Sequence, residues 1–106
     1  MDRIDISIYK NKKYKVLSGV ERGAEVRNEI GLDLMDAQEN CVQFVIPQDV
    51  YSLNSSFFSG LFHQSLTRLG EKKFRQLYQF ECTDIIRKNI EDGIFYVLNT
   101  KNLLGE

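Results

Sequence analysis

The feature of this sequence that most restricts its fold is CVQFVIP, Cys41 to Pro47, which lies between two segments of helical periodicity. It is a nearly continuous apolar run, it is rich in β-branched residues, and it ends at the only proline of the chain. A short run of this kind is typical of a central strand that is buried on both faces of a sheet. Helical segments before and after such a strand predict an α/β fold.

Two further segments alternate with the period of a strand. RIDISIY (Arg3 to Tyr9) places Ile4, Ile6 and Ile8 on one face, which predicts a half-buried strand, and YKVL at 14–17 is expected to pair back as a short second strand. RQLYQFEC at 75–82 alternates again and predicts a strand late in the chain.

Three helices are predicted between and after these strands. Ser18 and Glu21 have the spacing of a capping box for a first helix that extends to about residue 37, with a break or bend at Gly31. A second helix at about 56–69 is expected to end at Gly70, and a third follows Thr83 or Asp84. The apolar residues expected to face the core are Val20, Ala24, Ile30 and Leu34, then Phe58, Leu61, Phe62, Leu66 and Leu69, then Ile85, Ile86, Ile90, Ile94 and Val97.

The resulting order is β(β)αβαβα in one domain over residues 1–106. It predicts a mixed four-stranded sheet with about three helices packed on it.

The charge balance argues against two classes of partner. The net charge is −1, with 14 basic and 15 acidic residues well mixed along the chain, so no basic surface for nucleic acid or for an anionic membrane is expected. No apolar run approaches the roughly 20 residues that span a bilayer. Cys41 and Cys82 lie far apart beside apolar residues and are expected to be reduced core thiols in a cytoplasmic protein.

The sequence offers little to catalysis. His63 is the only histidine, and on a helical wheel it falls on the polar face, where a solvated side chain is expected. One histidine and two distant cysteines provide no metal-ligand spacing, and no glycine-rich phosphate loop is present. We therefore expect a protein that is not an enzyme and that uses no metal or cofactor.

Arg27 is an unusual residue in the first helix, because it lies within the apolar arc and next to Gly23. A charge in that position must be paired, must extend along the sheet edge, or must line a pocket. Two interpretations stay open: a structural arginine bonded to carbonyls or a carboxylate, or a contact for an anion or a partner.

The segment YSLNSSFFSGLF, Tyr51 to Phe62, joins the central strand to the second helix. Asn54 or Ser55 can cap that helix, which accounts for one polar side chain but not for both serines, Ser55 and Ser56. A serine at a helix N-terminus is also suited to carry a phosphate, which adds about −1.5 to −2 charges. Exposed aromatic residues are weaker signs of an interface, and Tyr51 and Phe95 are the candidates.

FVIPQDVYSLNSSFFSGLF resembles the strand–loop–helix core of STAS domains, the fold of sulfate-transporter and anti-sigma-factor-antagonist domains, whose signature is Asp-Ser-Ser-Gly before a helix. The resemblance is closer to a compact prokaryotic STAS-like family of unknown function. That family tends to have Ser-Ser-Phe before Leu-Phe and a Gly-x-x-x-Arg in its first helix, which Gly23 and Arg27 match. The resemblance spans about residues 18–98.

The resemblance implies a STAS-like fold and a phosphorylated serine. In anti-sigma-factor antagonists a kinase-like ATPase partner phosphorylates the first serine of the pair and thereby abolishes binding, and Ser55 occupies that position. Ser56 corresponds to the second serine. Asn54 replaces the usual aspartate and Phe57 the usual glycine.

The sequence is therefore compatible with three functions from different classes. The preferred one is a regulatory protein-interaction module switched at Ser55, or less strongly at Ser56, with Tyr51, Asn54, Phe57 and Arg27 as contacts. The second is a sensor in which the helix start and Arg27 hold a nucleotide or another anion. The third is a phage- or defence-related inhibitor that masks a partner or forms a homodimer through Phe95.

Overall fold

The computed structural model describes residues 2–10, 13 and 15–103, with backbone only from residue 100 onward. The strands are β1 (Asp2–Asp5), β2 (Val16–Leu17), β3 (Val42–Ile46), β4 (Ser52–Leu53) and β5 (Tyr78–Cys82). The helices are α1 (Val20–Ile30), α2 (Leu32–Gln38), α3 (Ser55–Leu69), α4 (Glu71–Leu77) and α5 (Asp84–Leu103), with a short 3-10 helix at Ser7–Tyr9.

The described strands form two parallel sheets. The larger has the order β1–β3–β5, in which Ile4, Phe44 and Phe80 lie side by side. The smaller pairs β2 with β4. The α/β class and the central place of β3 are thus confirmed, whereas the predicted mixed four-stranded sheet with three helices is wrong.

The expected return of 14–17 onto the first strand is wrong because the chain leaves the sheet at Asp5. The Asp5 carboxylate accepts the backbone N–H of Ser7 at 2.8 Å and starts the 3-10 helix. Ile6 is consequently fully buried, but Ile8 turns outward and is 71% exposed. The continuation, β2, reaches β4 instead of β1, and residue 14 lies outside the described residues.

The first predicted helix is two helices. Gly31 takes a left-handed conformation (φ 73°) between α1 and α2, so the predicted break is confirmed. The predicted inward face is wrong for Val20, Ala24 and Leu34, which are exposed. The buried side of α1 contains Val26 and Arg27 instead. The capping box is also wrong, because the helix begins one residue later, with Gly19 at the N-cap.

The second and third predicted helices correspond to α3 and α5, and the structure adds α4 between them. Gly70 ends α3, as predicted, and α4 then occupies the first three residues of the segment 75–82 that was expected to be a strand. In α5, Ile86, Ile90, Ile94 and Val97 enter the core, whereas Ile85 is exposed. Packed aromatic rings from the sheet and from α3 and α4 fill the centre of the core: Phe44, Phe58, Phe62, Phe74, Tyr78 and Phe80.

Candidate functional site

The small sheet brings the starts of α1 and α3 together. Two parallel strands, β2 and β4, run directly into these helices, so the helix N-termini lie side by side. The backbone N–H of Asn54 donates to the carbonyl of Leu17 at 2.8 Å and extends this pairing to the helix start. On its other side, β4 is held by α5, where the Asn89 side chain accepts the N–H of Leu53 at 2.8 Å.

Asn54 and Ser56 both close this junction. Asn54 is the N-cap of α3, and its side-chain oxygen accepts the backbone N–H of Ser56 at 2.8 Å. The Ser56 hydroxyl donates to the same oxygen at 2.5 Å and accepts the N–H of Gly19 at 3.3 Å. Ser56 therefore links the start of α3 to the start of α1.

Ser55 differs from its neighbour. It is the first residue of α3 and is half-buried, and its hydroxyl has no hydrogen-bond partner in the described part of the chain. Of the two serines, the structure uses Ser56 to hold the helices and leaves the Ser55 hydroxyl available.

The two aromatic residues of this segment have opposite environments. Tyr51 precedes β4 and is 63% exposed, whereas Phe57 is fully buried in the core. The prediction that Phe57 contacts a partner is therefore corrected, because its ring packs inside the protein and presents no surface. We call Tyr51, Asn54 and Ser55 the α3-start surface.

Arg27 is held inside the protein at 4% exposure by partners on two helices. Its Nη2 lies 2.6 Å from Asp36 and 2.7 Å from Asp33, and its Nε donates to Asp33 at 2.9 Å. Its Nη1 donates to the carbonyl of Leu61 and to the hydroxyl of Ser65 at 2.9 and 2.8 Å. This is the structural interpretation of Arg27, with both a carbonyl and carboxylates as partners.

Asp36 is the acceptor at the centre of this arrangement. Its buried carboxylate receives Arg27, the hydroxyl of Ser65 at 2.8 Å and the hydroxyl of Tyr78 at 2.5 Å. Burial, and then the bond to Asp36, raise the pKa of Tyr78 far above its ordinary value. We call Arg27, Asp36, Ser65 and Tyr78 the buried network. Among the described residues no buried side-chain nitrogen or oxygen lacks a partner.

Two glycines allow the arginine to reach α3. A Cβ on Gly23 would lie 2.3 Å from the carbonyl oxygen of Phe57, and one on Gly60 would lie 2.1 Å from that of Val20. The two backbones therefore touch, which brings Leu61 and Ser65 within reach of Arg27. The Gly-x-x-x-Arg spacing thus has a structural explanation: Gly23 admits α3, and Arg27, one turn later, bonds to it.

Sequence reasoning found Arg27 but not its partners. Asp36, Ser65 and Tyr78 come from three different elements, and no local spacing joins them. The single available signal was physical, since a charge on an inward face requires a buried counter-charge.

The remaining candidates form no second site. His63 lies half-buried on α3, and none of the described residues forms a group of three or more that could hold a metal ion. Cys82 is half-buried, and burial raises the pKa of its thiol. Cys41 is exposed, so its prediction as a core residue is wrong. No helix in the described ranges is long and apolar enough to cross a bilayer.

Comparisons of the chain with models of protein families, with curated proteins and with solved structures found no match.

Proposed function

We propose that this protein is a non-enzymatic regulatory module of STAS-like type that binds another protein through the α3-start surface. Phosphorylation of Ser55 by a kinase-like ATPase partner would switch this binding. The observation that supports the proposal most is that three of the four consecutive residues 54–57 have a structural role and Ser55 has none. Asn54 caps α3, Ser56 ties α3 to α1 and Phe57 fills the core, so Ser55 is the side chain to which the fold assigns no bond.

The position of Ser55 suits a phosphate. A group on the first residue of α3 lies within the positive end of that helix dipole, and the start of α1 lies alongside. A phosphoserine there carries about −1.5 to −2 charges and is stabilised by these N-termini. The same charge at the start of α3 would change the surface that a partner contacts.

The replacement of the family's aspartate by Asn54 is compatible with this proposal. The side-chain oxygen at this position serves as the N-cap acceptor for Ser56, and asparagine and aspartate are about equally good N-caps. The replacement removes one negative charge beside Ser55, which lowers the electrostatic cost of adding a phosphate.

The anion-sensing alternative is less well supported because it needs Arg27 and Ser55 at one ligand. Arg27 bonds Leu61 and Ser65, which lie about 9 to 15 Å further along α3 than Ser55 at roughly 1.5 Å per residue. Its Nε, Nη1 and Nη2 are all occupied in the interior. The cation that this alternative requires is thus used to join α1 to α3.

Co-expression with a kinase-like ATPase of the same organism, followed by intact-mass measurement, tests the proposal. We expect the mass of a single added phosphate in the wild type and in Ser56→Ala, and no added mass in Ser55→Ala. In a pull-down with the same ATPase, Ser55→Glu should lose binding and Ser55→Ala should keep it. An unshifted mass, together with equal binding of wild type, Ser55→Ala and Ser55→Glu, would contradict the proposal.

Thermal unfolding of the two alanine variants provides the matched control. Ser56→Ala removes the bonds to Asn54 and Gly19 and should cost about 1 kcal/mol of stability. Ser55→Ala removes no bond and should unfold like the wild type. Any loss of phosphate in Ser55→Ala can then be assigned to the missing hydroxyl, because the fold is intact.

A further inference from the structure

The outward face of α5 carries large apolar side chains although the helix already has a complete inward face. Ile86, Ile90, Ile94 and Val97 are at most 3% exposed. On the opposite side Ile85 is 66%, Phe95 69% and Tyr96 43% exposed. Isolated exposed apolar residues need no explanation, but these share one side of one helix.

The exposed residues follow a heptad spacing. Ile85, Lys88, Asp92, Phe95 and Asn99 are separated by three and four residues in alternation and are all exposed. This is the spacing of the a and d positions through which two helices pair. We call these residues the α5 stripe.

We propose that the α5 stripe is the contact between two copies of this chain, which pair through antiparallel α5 helices about a two-fold axis at the level of Ile90. Residues at equal distances from Ile90 then face each other. Ile85 meets Phe95 of the second copy, and Lys88 meets Asp92 of the second copy. Each contact occurs twice because such an interface is isologous.

The charges in the stripe select this arrangement. Lys88 and Asp92 are exposed, and neither has an ion pair among the described residues, whereas Glu91 on the same helix is bound by Arg75 at 2.7 Å. In a parallel pair, lysine would face lysine and aspartate would face aspartate. Antiparallel pairing places each cation opposite an anion, between two apolar layers of isoleucine and phenylalanine.

The interface is small, so we expect a weak dimer whose population depends on concentration. It uses residues distinct from the α3-start surface and does not depend on the proposed phosphorylation. Sedimentation velocity of the full chain over a concentration series measures it directly. Phe95→Ser should raise the dissociation constant at least about tenfold, because Phe95 is the largest apolar side chain of the stripe and enters both apolar layers of the contact.

Leu34→Ser is the matched control, because Leu34 is 61% exposed on α2 and lies outside the stripe. It should leave the dimer unchanged. A wild type that remains monomeric at every concentration would overturn the proposal. So would a dimer that Phe95→Ser leaves intact or that Leu34→Ser disrupts equally.

A charge exchange tests the register itself. Lys88→Glu places a glutamate opposite Asp92 of the second copy, and Asp92→Lys places a lysine opposite Lys88. Each single variant should weaken the dimer, and the effect should diminish at high salt. The double variant Lys88→Glu/Asp92→Lys should restore the wild-type dissociation constant. Failure of the double variant to restore the dimer would overturn the antiparallel register.

Discussion

Two arginines in this protein are each held by two carboxylates, but in different surroundings. Arg27 bonds Asp33 and Asp36 and is 4% exposed. Arg75 on α4 bonds Glu71 at 3.0 Å and Glu91 through two parallel bonds of 2.7 and 2.8 Å, with 40% of its side chain exposed. The pair with Glu91 has the two-bond geometry that is usually the strongest form of this interaction.

The two-bond geometry alone would therefore rank Arg75 above Arg27, although the contact of Arg27 with Asp36, at 2.6 Å, is the shorter. An exposed pair exchanges water for a carboxylate at little net gain, and salt screens it. A buried pair, once formed, cannot lose one member without leaving the other charged in the interior. Burial, rather than two-bond geometry, decides what each arginine contributes to stability.

The comparison also explains how the interior supports the α3-start surface. The buried network fixes α1 against α3, and this contact keeps Gly19 beside Ser56. The hydroxyl of Ser56 is consequently hydrogen-bonded, and the hydroxyl of Ser55 is not. The buried network thus affects the proposed site indirectly, because it positions the starts of α1 and α3.

The largest expected difference is between Asp36→Ala and Glu91→Ala. Asp36→Ala removes the central acceptor of Arg27, Ser65 and Tyr78 and should lower the free energy of unfolding by about 3 to 5 kcal/mol. Glu91→Ala should cost less than about 1 kcal/mol. Urea denaturation of both variants measures the difference, and similar losses would contradict the role assigned to burial.

The next effect tests the backbone contact on which the buried network depends. Gly60→Ala places a methyl group 2.1 Å from the carbonyl oxygen of Val20, where no side chain can move aside. The helices must separate, and we expect a net loss of about 2 to 3 kcal/mol. Ser59→Ala, the adjacent position on α3, should be neutral within about 0.5 kcal/mol. A stable Gly60→Ala would show that Arg27 tolerates separation of the helices.

A smaller effect is expected for Tyr78→Phe, which removes one bond to Asp36 and keeps the ring. The loss at neutral pH should be about 2 kcal/mol, as for other hydrogen bonds to a charged group. Because the pKa of Tyr78 is raised in the folded state, its contribution is complete below the unfolded pKa of about 10 and declines above it. The gap between wild type and Tyr78→Phe should therefore narrow at alkaline pH, and a constant gap would contradict this assignment.

Patterns of neighbouring residues predicted those elements of the fold that depend mainly on residues close in sequence. β3 followed from its apolar run, the bend at residue 31 from Gly31, and α3 from its apolar stripe and Gly70. The pairing of β2 with β4 could not be predicted in this way, because both strands are two residues long and carry no periodicity of their own. Helix α4 was missed because it is only seven residues long, has Phe74 as its one buried side chain and runs directly into β5.

In the candidate site, too, features set by neighbouring residues were predictable, whereas contacts between distant elements were not. The unusual position of Arg27 and a cap at Asn54 or Ser55 were visible in the sequence. The structure places the cap at Asn54, so the alternative cap at Ser55 is wrong. That Phe57 is buried and Ser55 is not bonded depends on how α1 crosses α3, which is set by Gly23 and Gly60 together. Contacts between elements remote in the chain decide such details, and no local pattern encodes them.

The smallest expected loss of stability is that of Arg75→Ala, which tests the exposed arginine. Arg75→Ala removes the bonds to Glu71 and Glu91 and should cost less than about 1 kcal/mol, which 1 M salt should largely abolish since the Debye length there is about 3 Å. The bond to Arg75 lowers the pKa of Glu91, so the contribution of this pair is present above the unfolded pKa of about 4.3 and is lost as the pH falls through the lower folded value.

Wild type and Arg75→Ala should accordingly converge in stability at acidic pH, whereas Asp36→Ala should remain less stable than the wild type at high salt because the buried network is shielded from ions. Thermal unfolding of the three proteins across pH and salt separates the two behaviours. An Arg75→Ala loss that is large and independent of salt would mean that α4 and α5 depend on this pair as α1 and α3 depend on Arg27, and the contrast between the two arginines would then fail.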